Sequence, residues 1–526
     1  MTTALRLGAR RLPGVGFLLA LLMWEAVAWL LAGSFLVAGP SEIALWLWAN
    51  AGLVGRALAT TLAAAAFGFV AGNLVAAALA ALAFLIPRGE RLLGALALLV
   101  FCLPFVATGP ILRVLYGPGP GPQITLAALA VYYTSYLALL TGLRAAPASW
   151  FDLVRSYGRG EAQALLRVRL RASLPYAMAA LQIAAPAAFL GAMVGEFTGA
   201  ERGLGVLTIR TTRALDIPGT WAIATVAASV CILAYLAFGA LGRWLAVAPV
   251  ATNLATPPPL GTTPALHGAL RAIGRSALLL LVVLGLWYGL MQAFALNPFF
   301  AKRPHDVWAH LFLAPDAAQN RATLILAYMQ TMVLAVPGYL AGIVLGAGLA
   351  ALVVLRPRVS ATVLPVAIAL RSVPIITTAP LLVLLLGRGA VGTITITAIM
   401  TFFPTLVACL NGLRQIPGPV QDVFASYAAT PRQRLIHAQI PAMLPALFAA
   451  ARMAVPTALL AATTTEWLAT GIGMGTLMAL AASTSAYGTL WSAVVILSVT
   501  ASLAYVGVEA IERHVLHRYA PEQLSR

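Results

Sequence analysis

Two glutamates, Glu196 and Glu466, each close a long apolar run and each precede a pair of glycines, in GEFTGAERGLGVL (195–207) and TEWLATGIGMGTL (465–477). An ionisable group at membrane depth marks a cavity or pathway, so these carboxylates are gate candidates. The other reading is a solvated or loop-capping carboxylate at the membrane interface. Pro104, Pro110, Pro374 and Pro380 also fall inside apolar runs. There a proline frees backbone carbonyls that only protein or a watery cavity tolerates, so the four are candidates for shaping a path, with plain kinks as the alternative. Enzymatic chemistry has no visible apparatus. The single lysine, Lys302 in FFAKRP, has no glycine-rich lead and cannot end a P-loop. None of the six His opens a His-Glu-x-x-His, no Gly-x-Ser-x-Gly elbow occurs, and Cys102, Cys231 and Cys409 lack metal-ligand spacing. No catalytic residue, metal site or cofactor in this chain is expected.

The elements that must hold these residues follow from composition. The 526 residues are 61% hydrophobic and 9% charged, against about 25% charge in soluble proteins. A crossing takes about 20 apolar residues, and runs of that length occur near 13–33, 57–86, 92–116, 123–143, 173–197 and 219–245. A second set lies near 276–297, 323–355, 361–387, 390–411, 443–468 and 487–511. The reading is an all-α polytopic membrane protein of about twelve helices, the first an uncleaved span. Between the sets, Pro-, Thr- and Gly-rich residues 251–272 read as a linker between domains at 1–250 and 273–526.

The two sets are a repeat. A shift of 270 (466 − 196) superposes Arg144, Pro147, Asp152, Ser156, Tyr157, Gln163, Pro175, Pro186, Glu196, Gly203 and Gly205 on identical residues. Arginines concentrate where an N-terminus-inside topology puts the cytoplasm, among them Arg6, Arg10, Arg11, Arg88, Arg91, Arg356, Arg358 and the six between 144 and 171. That is the positive-inside bias, and it places both termini in the cytoplasm. The charge of +18 is thereby assigned to topology and the lipid surface, not to nucleic acid. Six spans per half is an even number, so the halves are parallel. Glu196 and Glu466 are then predicted to face one another near the outer mouth and to hold the loops at 198–217 and 468–486. Arg113, Arg371 and Arg452 fall within or near spans; for Arg371, snorkelling is the expected explanation. Glu25, beside Trp24, reads as structural.

Between the fourth and fifth runs of each half lie polar segments within 148–172 and 418–442, containing DLVRSYGRGEAQALLRVRLRASLP and DVFASYAATPRQRLIHAQIPAMLP. Their helical periodicity suits an amphipathic helix lying on lipid or docked in a partner's groove; duplication favours a symmetric partner.

These loops resemble the cytoplasmic signature of bacterial ABC importer permeases of the nitrate/taurine/sulfonate type. The matching residues are Asp152 and Gly158 in one half, Asp422 and Ile440-Pro441 in the other; Ala428 and Arg171 depart from the pattern. RSVPIITTAPLLVLLLGRG (371–389), FFPTLVACLNGLRQIP (402–417) and the two Glu-to-Gly-x-Gly segments resemble the same family. The resemblance implies two fused six-span domains of an inner-membrane importer, each handing one coupling helix to an ATPase subunit, two copies in all. ATP and magnesium would then sit in those ATPases, and a separate extracytoplasmic binding protein would deliver the solute. Asp152, Tyr157, Gly158, Asp422, Tyr427, Ala428 and Pro441 become the implied coupling residues, with the first loop the more sensitive. A secondary transporter with two parallel six-helix halves is the alternative; it leaves the duplicated loops unexplained.

Overall fold

The computed structural model describes residues 13–31, 37–87, 89–117, 119–245, 265–356, 382–383, 386–387, 389–414, 416 and 418–519. Among these every regular element is helical. The first half comprises α1 (Pro13–Leu30), α2 (Pro40–Ala49), α3 (Ala51–Leu85), α4 (Glu90–Phe101), α5 (Phe105–Tyr116), α6 (Gly121–Arg144), α7 (Ala148–Ser156), α8 (Glu161–Ala164), α9 (Leu170–Phe197), α10 (Leu204–Arg213) and α11 (Ile217–Trp244). The second comprises α12 (Ala265–Ala293), α13 (Pro304–Trp308), α14 (Ala317–Leu355), α15 (Ala390–Arg414), α16 (Gly418–Ser426), α17 (Pro431–Arg434), α18 (Ile440–Thr465), α19 (Gly473–Ser483) and α20 (Tyr487–Tyr519). Short π-helical turns at Leu165–Arg169, Ala309–Leu313, Leu435–Gln439 and Glu466–Thr470 join α8 to α9, follow α13, join α17 to α18 and end α18. Among the described residues, eight helices are long and apolar enough to cross a membrane. The protein is a polytopic all-α membrane protein.

Two expectations change in detail. The third run of the first half is not one continuous helix. Cys102, Leu103 and Pro104 interrupt it, and Pro104 takes an extended conformation (φ −72°, ψ 115°) as the N-cap of α5; it has no N–H with which to continue α4, and its ring disfavours helical geometry at Leu103 before it. The helix α12 begins at Ala265, inside the stretch read as linker. The third run of the second half, with Arg371, Pro374 and Pro380, lies outside the described residues.

Close helix approach organises each half. A Cβ on Gly68 of α3 would lie 2.3 Å from Ala127 Cβ of α6, and one on Gly342 of α14 would lie 1.9 Å from Thr401 Oγ1 of α15. Without a hydrophobic drive between helices in lipid, such small-residue seams let backbones approach and gain dispersion contact. Around them Ala64, Ala188, Met193 and Ile223 fill one core, and Val353, Leu406 and Leu413 another. The halves meet through α5, whose Ile111 joins Met474 and Met478 of α19, and through Met453 of α18 against the Tyr132, Tyr133 and Tyr136 cluster.

Candidate functional site

Glu196 and Glu466 lie at the C-terminal ends of the fifth spans and are 2% and 0% exposed. They are buried rather than solvated. Glu196 Oε1 accepts from Thr61 Oγ1 of α3 (2.7 Å), and Oε2 accepts from the Gly205 N–H at the start of α10 (2.6 Å). The same threonine oxygen accepts from Leu204 N–H (2.9 Å). One carboxylate and one hydroxyl therefore tie three elements together and satisfy two of the first N–H groups of α10, which have no partner within their own helix. In the second half, Glu466 Oε2 accepts from Thr331 Oγ1 of α14 (3.0 Å) and from Gly475 N–H (2.9 Å). Thr331 accepts from Met474 N–H (2.8 Å), and Gln330 accepts from Gly473 N–H (3.0 Å).

The clamp accounts for the glycines. Gly203 and Gly473 have φ of +136° and +84°, and a Cβ on either would fall 2.1 or 2.4 Å from the glutamate carboxyl carbon. A Cβ on Gly205 or Gly475 would strike the Met193 or Thr463 carbonyl oxygen, at 2.6 or 2.0 Å. Only glycine permits both the backbone turn and the approach. The carboxylates do not bond to one another. Each turns into its own half, and it is their chain neighbours Phe197 and Trp467 that meet, with ring centroids 5.9 Å apart. Thr61 and Thr331 escaped the sequence reading, although they too are identical in the 270-residue register. Glu25 ties α1 to α2 by accepting from Ser41 N–H and Oγ–H.

At the other end of the fifth spans stand the two loop helices. α7 ends in a turn where Gly158 has φ +65° and donates to Arg155 O (2.8 Å); after α16, Ala428 has φ +50° and donates to Ala425 O (3.0 Å). The departure from glycine at 428 leaves the turn unchanged, at the cost of a left-handed alanine. Tyr157 and Tyr427 project at 74% and 83% exposure, with Asp152 and Asp422 also exposed. Asp152 lies 3.9 Å from Arg155. The Arg171 and Pro441 difference is absorbed too. Pro441 sits in the first turn of α18, where Thr430 and Gln433 cap the short helix before it. Pro104 is buried and Pro110 lies within α5, in the helix that meets the second half.

Arg452 does not snorkel. Its Nε is 3.0 Å from Glu512 Oε2 with both side chains buried, a pair between α18 and α20. The 270 register puts Gln182 and Gly242 there in the first half.

Comparison with known proteins repeats this duplication. Residues 73–247 and again 338–519 match the family described as binding-protein-dependent transport system inner membrane component. A probable ABC transporter permease protein of Haemophilus influenzae is 29% identical over 215 residues, 40% of this chain and 86% of the relative. A formylaminopyrimidine transport permease protein of Halalkalibacterium halodurans is 33% identical over 138 residues, 26% of this chain and 55% of the relative. A putative aliphatic sulfonates transport permease protein of Bacillus subtilis is 26% identical over 147 residues, 28% of this chain and 53% of the relative.

Proposed function

Since the chain belongs to the family of binding-protein-dependent transport system inner membrane components, and carries its signature twice, we propose that it is the fused permease of an ATP-driven importer. In this reading the two halves enclose one path through the inner membrane for a small solute that a separate binding protein delivers. The exposed ends of α7 and α16, with Tyr157 and Tyr427 at their tips, lie in the cytoplasm and insert into two ATPase subunits, which hold ATP and magnesium. The carboxylate clamps at the opposite ends of α9 and α18 hold α10 and α19 over the outer mouth and carry its opening and closing.

The observation that carries the proposal is the paired geometry within each half. One helix runs from a projecting loop helix at one end to a buried clamp at the other, in α9 and in α18 alike. A rigid helix between an ATPase contact and a gate transmits closure at one end as displacement at the other. The test is uptake into proteoliposomes containing this chain, its ATPase subunits and its binding protein. Uptake requires ATP inside and all three components. Uptake by the chain alone, driven by an ion gradient, establishes the secondary-transporter alternative instead.

A further inference from the structure

Six arginines fall between 144 and 171, around the loop helix α7 and the start of the fifth span. Four have partners. Arg144 pairs with Glu90 (2.5 Å), Arg155 lies 3.9 Å from Asp152, Arg159 donates to Gln163 Oε1 (2.7 Å), and Arg169 stacks over the Phe84 and Phe151 rings (4.7 and 4.3 Å). Arg167 and Arg171, one helical turn apart, are exposed and form no ion pair or side-chain hydrogen bond among the described residues. Both line a cavity of about 620 Å³ between α7 and α9, together with Trp150, Leu153, Pro175 and Tyr176, and no carboxylate lines it. That is the size of a small-molecule site, about 300–1,000 Å³. The span from Arg167 to Phe197 has 31 residues, about 46 Å at helical rise, against roughly 40–45 Å for a bilayer with its headgroups. Arg167 and Arg171 therefore stand at headgroup depth. Leu170 and Leu174, interleaved with them in the chain, are exposed at 46% and 40%, on a surface suited to acyl chains. The 270 register puts His437, Pro441, Val420 and Ala446 in place of Arg167, Arg171, Trp150 and Tyr176, so the second half keeps neither guanidinium and neither the Trp nor the Tyr ring.

We propose that this cavity binds one acidic phospholipid, its phosphate held between Arg167 and Arg171 and its glycerol and upper acyl chains against Trp150, Leu153, Pro175 and Tyr176. Guanidinium groups match phosphate oxygens in geometry as well as charge, and Trp and Tyr side chains favour the membrane–water interface. A zwitterionic headgroup brings its own cation toward the two arginines and loses the advantage. A free anion has nothing to set against the apolar wall, which is why the occupant is a lipid. Two arginines at an anionic lipid raise its affinity about thirtyfold, at roughly fivefold each. The bound lipid bridges α7 to α9 and braces the loop helix of the first half alone. The importer reading enters only through the ATPase placed at the far tip of α7, around Tyr157, which leaves the cavity at the base of that helix to the membrane.

The experiment strips the purified full chain of lipid in detergent and titrates it with phosphatidylglycerol or phosphatidylcholine, counting bound lipids by native mass spectrometry. The expected result is one phosphatidylglycerol that binds about thirtyfold more tightly than phosphatidylcholine. That preference falls to near unity in R167Q/R171Q and persists in R202Q/R213Q, which removes two exposed arginines elsewhere, with all three chains melting alike. Equal affinity for the two lipids in the unaltered chain overturns the proposal, and so does an unchanged preference in R167Q/R171Q. Displacement of the lipid by millimolar inorganic phosphate makes the ligand a free anion and overturns it as well. The titration is repeated with the ATPase subunits bound. Retention of the lipid is expected, and its loss assigns the cavity to the ATPase contact instead. Failure of any ATPase subunit to bind the chain counts against the importer reading and leaves the lipid result standing, so the two failures are distinct.

Discussion

Replacing Thr61 by valine removes one hydroxyl and nothing else of consequence in volume, and the clamp geometry fixes what that costs. Glu196 Oε1 loses its 2.7 Å donor, and Leu204 N–H loses its 2.9 Å acceptor. Both groups are buried at a residue that is itself 0% exposed, so water does not replace the partner. Leaving a buried polar group unsatisfied costs about 1–3 kcal/mol, and more for a charged one, which makes the total at least about 2 kcal/mol. The loss is local to the junction of α3, α9 and α10, because the Gly205 N–H bond to Oε2 survives. The measurement is amide hydrogen exchange of the purified chain over residues 204–213. Two kcal/mol in the opening of α10 speeds exchange there roughly thirtyfold, while α6 and α15 keep their protection. Thr61→Ser, which keeps the hydroxyl, restores most of it. Thr331→Val does the same to α19 without altering α10. Equal protection of α10 in T61V and the unaltered chain refutes the clamp as the device that seats this helix.

Three further outcomes are open to measurement. Ala428→Gly relieves a left-handed alanine and raises thermal stability by about 0.5–1 kcal/mol after the entropy glycine adds to the unfolded chain, whereas Gly158→Ala lowers it by about 1 kcal/mol; equal melting of all three chains contradicts the strain argument. Arg452→Gln or Glu512→Gly alone strands a buried charge and costs about 3–5 kcal/mol, and the double variant, which installs the residues that the first half carries at these register positions, Gln182 and Gly242, recovers most of that in the same melting assay. At His310, in the π turn after α13, burial first and Lys302 second hold the imidazole below its ordinary 6.5. As the pH falls through that ordinary value the unfolded chain binds a proton the folded site resists, so stability drops in acid, and His310→Gln flattens the stability profile between about pH 7 and 5.

Much of this architecture was legible in the chain because lipid leaves few choices. An apolar run of spanning length has to satisfy its own backbone, so runs such as 123–143 and 219–245 return as α6 and α11 with nearly the same bounds. The run at 92–116 misled because hydropathy counts side chains and ignores the missing N–H of Pro104, which ends one helix and starts another. Of the clamp, the acid and its glycines were visible as a motif. The threonine was not, since Thr61 sits 135 residues from Glu196 in an Ala-rich helix and only packing brings its hydroxyl to the carboxylate. The inward turn of both glutamates was equally beyond sequence, because register fixes where a residue lies around an axis and says nothing about which neighbour offers it a donor.

The repeat also separates what the fold requires from what each half is free to change. Position 158/428 keeps its left-handed turn with glycine in one copy and alanine in the other, and the loop enters the fifth span through the same π turn with arginine at 171 and proline at 441. Geometry is held constant here against changed side chains, at about a kilocalorie of strain for the alanine. At the clamps the side chains themselves are held, because a carboxylate, a hydroxyl and two glycines leave no alternative chemistry in a buried site. Away from those constraints the copies part: Arg452 and Glu512 stand where the first half has Gln182 and Gly242, and Arg210 stands where the second has Leu480. In two identical chains every such change would appear in both halves at once, and a buried charge added to one would have to be accommodated in the other. Joining the halves in one chain removes that coupling, so the differences lie where a single asymmetric structure can use them, in the packing of one sixth span and on the surface of one clamped helix.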